Sequence, residues 1–269
     1  MNNTAAIIIP LYKPQLNKLE EISIRQCFKI LSQHKIIAVK PQHLSLSQYG
    51  FEFDEVISFD DAFFQDIEGY NKLMLSSLFY EKFLAYTFIL IYQPDAFVFR
   101  DDLSYWCNQG YDYIGAPWLR YTAYPDLIKR IKNQALSYLH RKKNTKQPHT
   151  DLPTDLQFEN RVGNGGFSLR HTKKFHDICL EDQKEIEVYN SRPEHYFNED
   201  VFWSLEVNRK ARRLEIPGYK QAVHFAIENN YLHGFDITKG ELPFGCHAWD
   251  RNLEFWKPFF EKAGVTIGE

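Results

Sequence analysis

The chain of 269 residues is 44% hydrophobic and 16% aromatic, which suits one large or two small domains with a sizeable core. Its formal net charge is only −3, so nothing global argues for nucleic acid, and no nucleic-acid partner is expected. Four cysteines, Cys27, Cys107, Cys179 and Cys246, lack CxxC spacing and suggest neither a zinc site nor a disulfide framework.

The first strand signal is Ala5 to Ile9, an unalternating apolar run of the kind buried on both faces of a parallel sheet. Pro10 ends it, and Leu11-Tyr12-Lys13-Pro14 forms the loop that follows. Apolar spacing predicts a helix over 15–33, strands over 34–39 and 55–59, and a helix over 69–83 (GYNKLMLSSLFYEKF). A strand over 86–92 then leads into Gln93-Pro94-Asp95, after which the apolar run resumes as Ala96-Phe97-Val98-Phe99. YDYIGAPW (111–118) reads as a short strand. The stretch 119–160 is the least orderly, with a helix over 127–140, a basic run His140–Lys143 and a polar tail, and reads as an insertion or lid. GNGGFSLR (163–170) gives a turn and a strand, 171–188 a helix, and Asn198-Glu199-Asp200 the start of another. AVHFAIE (222–228) is strand-like, ELPFGCHAW (241–249) follows, and an aromatic helix closes the chain. Alternating strands and helices predict an α/β fold with a mostly parallel sheet, whose ligands sit at the carboxyl ends of the strands.

That rule gives the carboxylate at position 95 a meaning. A buried, unpaired carboxylate is costly, but Asp95 falls at a strand-end rim, where it can coordinate a divalent cation or, more plainly, brace a turn. The glycines of GNGGFSLR allow close approach of backbone to a ligand, or simply a tight hairpin. Glu199 and Asp200 are favoured at a helix start by capping and dipole, and a carboxylate there can also serve as a general base. His247, among small and aromatic neighbours, is either a core histidine or a ligand to metal or phosphate. The run His140–Lys143 with Lys146 is a solvated helix end or a contact for an anionic acceptor or membrane surface.

Taken in order, YNKLMLSSLFYEKF, ILIYQPDAFVF, YDYIGAPW, GNGGFSLR, NEDVFW and LPFGCHAW resemble the GT-A-type glycosyltransferases, and among them a poorly characterised bacterial family of glycosyltransferase-like proteins. The resemblance covers nearly the whole chain, least well 119–160. It implies a GT-A-like single domain over 1–269, with a Rossmann-like nucleotide-sugar half (1–118), an insertion or lid (119–160) and an acceptor and catalytic half (161–269). It implies transfer of a sugar from a nucleoside-diphosphate sugar to a glycan or other hydroxyl acceptor, with inversion, in surface glycan synthesis. A retaining transferase and a non-catalytic nucleotide or sugar binder are the alternatives.

By the same resemblance, Pro10, Leu11, Tyr12 and Lys13 lie against the donor's base and ribose, and Asn71, Lys72 and Tyr80 belong to the helix facing the donor. Gln93 and Asp95 fall where the fold usually has Asp-x-Asp, so Asp95 and His247 are the expected metal ligands for Mn²⁺ or Mg²⁺. Gln93 replaces the first acid, which leaves less negative charge for a cation and lets Lys13 and Lys72 neutralise part of the diphosphate. Trp118, Gly165, Gly166 and Phe167 form the acceptor wall, and Asp200, with Glu199 beside it, is the base.

The N-terminus MNNTAAIIIPLYKP lacks the basic region and long apolar stretch of a signal peptide, and no window approaches the roughly 20 apolar residues of a membrane span. A cytoplasmic protein is expected, with any membrane contact peripheral, at the inner face and through 140–146.

Overall fold

The computed structural model describes residues 4–121 and 124–267; positions 1–3 of the N-terminal segment, 122–123 of the expected insertion and 268–269 lie outside the described residues. β1 (Ala5–Pro10) forms where the apolar run predicts it. Asn17 and Glu20 then accept from each other's backbone N–H, a capping box that starts α1 (Lys18–Ile30) later than the apolar spacing alone implies. β2 (Lys35–Pro41) and β3 (Glu55–Phe59) follow. The helix expected over 69–83 is two: α2 (Ile67–Met74), capped by Asp66, and α3 (Ser77–Glu81), capped by Ser76. Ser76 accepts from the Leu78 N–H, restarting the helix.

β4 (Phe88–Tyr92) is buried at every residue, as an unalternating run should be. β5 (Ala96–Val98), α4 (Leu103–Cys107), β6 (Tyr113–Gly115) and β7 (Pro117–Trp118) lead to α5 (Leu127–Lys143). β8 (Arg161–Val162) and β9 (Phe167–His171) frame the glycine-rich turn. The helix expected over 171–188 breaks at Asp182 into α6 (Thr172–Glu181) and α7 (Gln183–Asn190). Asn198 opens the single turn α8 (Glu199–Val201), which widens into a π-helical segment over Phe202–Glu206; such segments often mark functional sites.

AVHFAIE is mostly helical, not a strand. α9 (Tyr219–Phe225) takes most of it and leaves β10 (Ala226–Ile227) only two residues. Burial of Ala222, Val223 and Phe225 outweighs a modest intrinsic strand preference. α10 (Tyr231–Thr238), β11 (Gly245–His247) and α11 (Leu253–Lys262) complete the chain.

The main sheet runs β3-β2-β1-β4-β9-β6. Its first four strands are mutually parallel, and β9 is antiparallel to both neighbours. A smaller sheet, β10-β11-β5, packs beside it on a cluster that includes Phe97, Trp249, Trp256 and Phe260. Much of the aromatic content is thus core. The carboxyl ends of β1 and β4 and the turn entering β9 open onto one edge.

Candidate functional site

The small sheet explains how distant residues meet. β11 pairs antiparallel with β5 so that His247 faces Ala96, one residue after Asp95. β10 runs parallel to β11 with Ile227 beside Cys246, which puts Glu228 next to His247. Three titratable groups far apart in sequence therefore share one sheet end. His247 Nε2 lies 3.1 Å from Asp95 Oδ1 and 3.1 Å from Gln93 Oε1, and Nδ1 lies 3.4 Å from Glu228 Oε1.

Burial disfavours an imidazolium at position 247, but Asp95 and Glu228 outweigh it and push the histidine up to about 10. Burial alone would raise Asp95, and the same histidine instead holds that carboxyl below its ordinary range. The imidazole is thus flanked by an acid at each ring nitrogen, and Asp95 and Glu228 together favour its protonated form.

The second cluster gathers at α8. Arg170 on β9 is fully buried and donates to Glu199 Oε1 (2.9 Å), Tyr80 Oη (2.8 Å) and Ser168 Oγ (3.0 Å). Asn71 accepts from the Glu199 N–H at 3.2 Å and donates to Asn198 Oδ1 at 3.0 Å, which fixes the start of α8 against α2. Glu199 is thus committed to Arg170. Its neighbour Asp200 makes no ion pair among the described residues and accepts from the Val201 N–H at 2.8 Å. Burial, then the nearby Glu199 and Glu228, raise Asp200 to about 7. That is the range in which a carboxylate exchanges protons at physiological pH.

Both clusters open into one cleft of about 630 Å³, a size typical of small-molecule sites. Of the residues singled out in the sequence, Pro10, Tyr12 and Lys13 line it from the end of β1. Asn71, Gln93, Asp95 and Trp118 line it too, as do Gly165, Gly166, Glu199, Asp200 and His247. Four others do not reach it. Leu11 is turned into the core and its N–H bonds Val39 O. Phe167 packs against Tyr92, Phe225 and Phe244. Tyr80 stands behind Arg170 at full burial. Lys72 is solvent-exposed on α2, away from the cleft.

Besides His247, the cations that line the cleft among the described residues are Lys13, paired with Glu20, and Arg251. Neither Arg251 nor Glu228 stands out in a first reading of the sequence. Glu228, like Asp95, is an acid at the end of a buried apolar strand, directly after Ile227 where Asp95 follows Tyr92 by three residues.

The glycines are required by proximity. A β-carbon on Gly166 would sit 2.0 Å from His247 Nε2 and 2.6 Å from Gln93 Oε1, and one on Gly165 would sit 1.8 Å from Glu199 Oε1. Gly166→Ala is accordingly expected to displace His247 and Gln93 and to abolish ligand-induced thermal stabilisation of the protein.

Cis ligands of an octahedral Mg²⁺ or Mn²⁺ stand about 3 Å apart, from bond lengths of about 2.1 Å. The Gln93 and Asp95 oxygens each stand 3.1 Å from His247 Nε2, a spacing that suits either a hydrogen bond or a shared cation. Among the described residues, no group of three or more His, Cys, Asp or Glu comes together as a metal site; the third donor is an uncharged amide, and His247 must lose a proton before it can ligate.

Two solved structures are similar across nearly the whole chain. One is a galactosyltransferase, LgtC, in complex with donor and acceptor sugar analogs, 14% identical, covering 98% of each chain with a TM-score of 0.54. The other is mouse xyloside xylosyltransferase 1 in its apo form, 11% identical, covering 91% of this chain and 97% of that one with a TM-score of 0.51. At such identity the likeness is one of fold alone: a GT-A-like single domain, α/β with a central, mostly parallel sheet. No curated protein matches the chain. A family model described as protein of unknown function (DUF5672) matches residues 54–247, from the end of β2's loop to His247. The chain belongs to that DUF5672 family.

Proposed function

We propose that the chain is a glycosyltransferase that moves a sugar from a nucleoside-diphosphate sugar to a hydroxyl acceptor with inversion. The observation that carries this reading is the single cleft in which Asp200, raised to about 7, faces the same space as Asp95, His247 and Gln93. The GT-A fold, and a structural neighbour described with donor and acceptor sugar analogs, support it. In this reading residues 1–118 serve the donor, with Pro10, Tyr12 and Lys13 against its base and ribose. Residues 161–269 serve acceptor and catalysis, with Trp118, Gly165 and Gly166 walling the sugar, and 119–160 joins the two.

Asp200 takes the acceptor hydroxyl proton as that oxygen bonds to the anomeric carbon. The anomeric carbon–oxygen bond to the diphosphate breaks, and its electron pair leaves with the phosphate oxygen, beside Lys13 and Arg251. Asn71 and Arg170 hold the start of α8, and so Asp200, in place. A divalent cation on Asp95, His247 and the Gln93 amide oxygen, when bound, supplies charge neutralisation to the diphosphate.

The test is a thermal-shift screen of nucleoside diphosphates with and without Mn²⁺ or Mg²⁺, on the wild type and Asp95→Ala. One nucleotide at about 100 times its Kd is expected to add about 2.7 kcal/mol, a shift of roughly 5–10 °C, with the metal-dependent part lost in Asp95→Ala. Because His247 would have to release its proton to hold a cation, cation affinity should tighten with rising pH below about 10, by up to about tenfold per pH unit. No shift with any nucleotide would sink the proposal. The anomeric configuration of the product, read by NMR, then separates inversion from retention.

A further inference from the structure

The helix α5 is amphipathic the wrong way round. Its inner face is polar and tied down: Asn133 donates to Glu159 Oε2 at 2.6 Å, Ser137 to Leu156 O at 2.8 Å, and His140 Nδ1 lies 2.9 Å from Thr154 Oγ1. Ser137 is its one buried residue. The opposite face carries Ile128, Ile131, Ala135, Tyr138 and Leu139, an i, i+3, i+7 stripe of the kind that normally faces a core. Here it faces solvent, with Ile128 79% exposed and Tyr138 57% exposed. Isolated exposed leucines need no explanation, but a continuous apolar stripe along about three turns marks an interaction surface.

Charge identifies the occupant. Between Leu127 and Lys143 the helix carries Lys129, Arg130, Lys132, Arg141, Lys142 and Lys143 and no Asp or Glu, in a chain whose formal net charge is −3. A two-fold dimer through this face would set that positive charge against its own copy, which is unfavourable. An anionic surface meets both features at once: apolar side chains enter the boundary between headgroups and acyl chains while flanking lysines contact the headgroups.

We propose that α5 is a peripheral membrane anchor, lying in the plane of an anionic phospholipid surface with the Ile128–Leu139 stripe inserted. The contact is therefore larger than the basic end at 140–146, and its apolar part is the stripe upstream. Through Asn133–Glu159 and Glu159–Arg120, two residues beyond Trp118, the anchor is joined to the wall of the cleft.

The experiment is co-sedimentation of the full chain with vesicles of phosphatidylcholine alone or of equal parts phosphatidylcholine and phosphatidylglycerol. The wild type is expected to pellet with the anionic vesicles only, less so as salt rises. Ile128→Ser/Ile131→Ser/Leu139→Ser should abolish binding, and Lys132→Gln/Lys143→Gln should weaken it about fivefold for each lysine removed. All five side chains are exposed, so both variants should unfold at the wild-type temperature and keep any nucleotide-induced shift, which separates this test from that of the proposed activity. A wild type left in the supernatant with anionic vesicles overturns the proposal, as does a serine variant that pellets undiminished. A dimer in sedimentation velocity that the serine variant converts to monomer would show instead that the stripe is a self-interface.

Discussion

Asp200→Asn is expected to lower transferase turnover by about 10²–10⁴-fold, the usual contribution of a positioned general base, while nucleotide-induced stabilisation is retained. Asn keeps the size of the side chain and its oxygen for the Val201 N–H, so the start of α8 should hold. In the wild type, turnover should rise with pH and level off above about 7, because only the ionised carboxylate accepts the acceptor's proton. The same shift has a consequence for stability. Asp200 is raised in the folded state from an ordinary value of 3.8 to about 7, so across that window the native state holds a proton that the unfolded chain has released. Stability therefore falls as pH rises from about 4 to 7. Removing the charge removes the penalty: at pH 8 the Asn variant should melt above the wild type, and the gap should close as pH is lowered towards 4. A variant that is slower and more stable is the signature of a strained functional group. Full turnover in Asp200→Asn would exclude it as the base, and a variant melting below the wild type at pH 8 would show the carboxylate to be structural.

For some of the residues that line the cleft, the position follows from a strand ending. Pro10, Gln93 and Asp95 sit where an unalternating apolar run stops, and an all-buried strand can stop only at the rim of the sheet. Glu228 sends the same signal. What the sequence does not show is its partner: the residues before it are mostly helical, and only the pairing of the two-residue β10 with β11 brings it beside His247. The four residues that do not line the cleft have other causes. Reading 69–83 as one helix carries a single phase through Ser76, where the chain actually restarts, so neither Lys72 nor Tyr80 can be assigned a face from periodicity. Leu11 and Phe167 flank true cleft residues, and next to a turn the in–out alternation of an apolar side chain is decided by packing. The outward stripe of α5 was the least legible feature, since helical spacing states that a helix has an apolar face but not which way it points.

Arg170→Met is expected to have the largest effect on stability. The guanidinium is inaccessible, the Glu199 carboxylate is only 5% exposed, and the two meet at 2.9 Å. Removing one member of such a pair leaves a buried charge without a partner, which typically costs about 3–5 kcal/mol. At roughly 2–4 °C per kcal/mol for a chain of this size, the midpoint should fall by about 10 °C. Tyr80 Oη and Gly165 O lose a donor in the same substitution, which adds to the cost. Arg170→Met/Glu199→Leu should recover much of the midpoint, because replacing both partners with apolar groups removes the uncompensated charge. Activity should not recover with it. The row from Tyr80 through Arg170 to Glu199 sets where α8 begins, and Asp200 is the next residue along. A double variant that regains its melting temperature but not its turnover would separate the two roles of this pair, and one that regains both would confine Arg170 and Glu199 to packing.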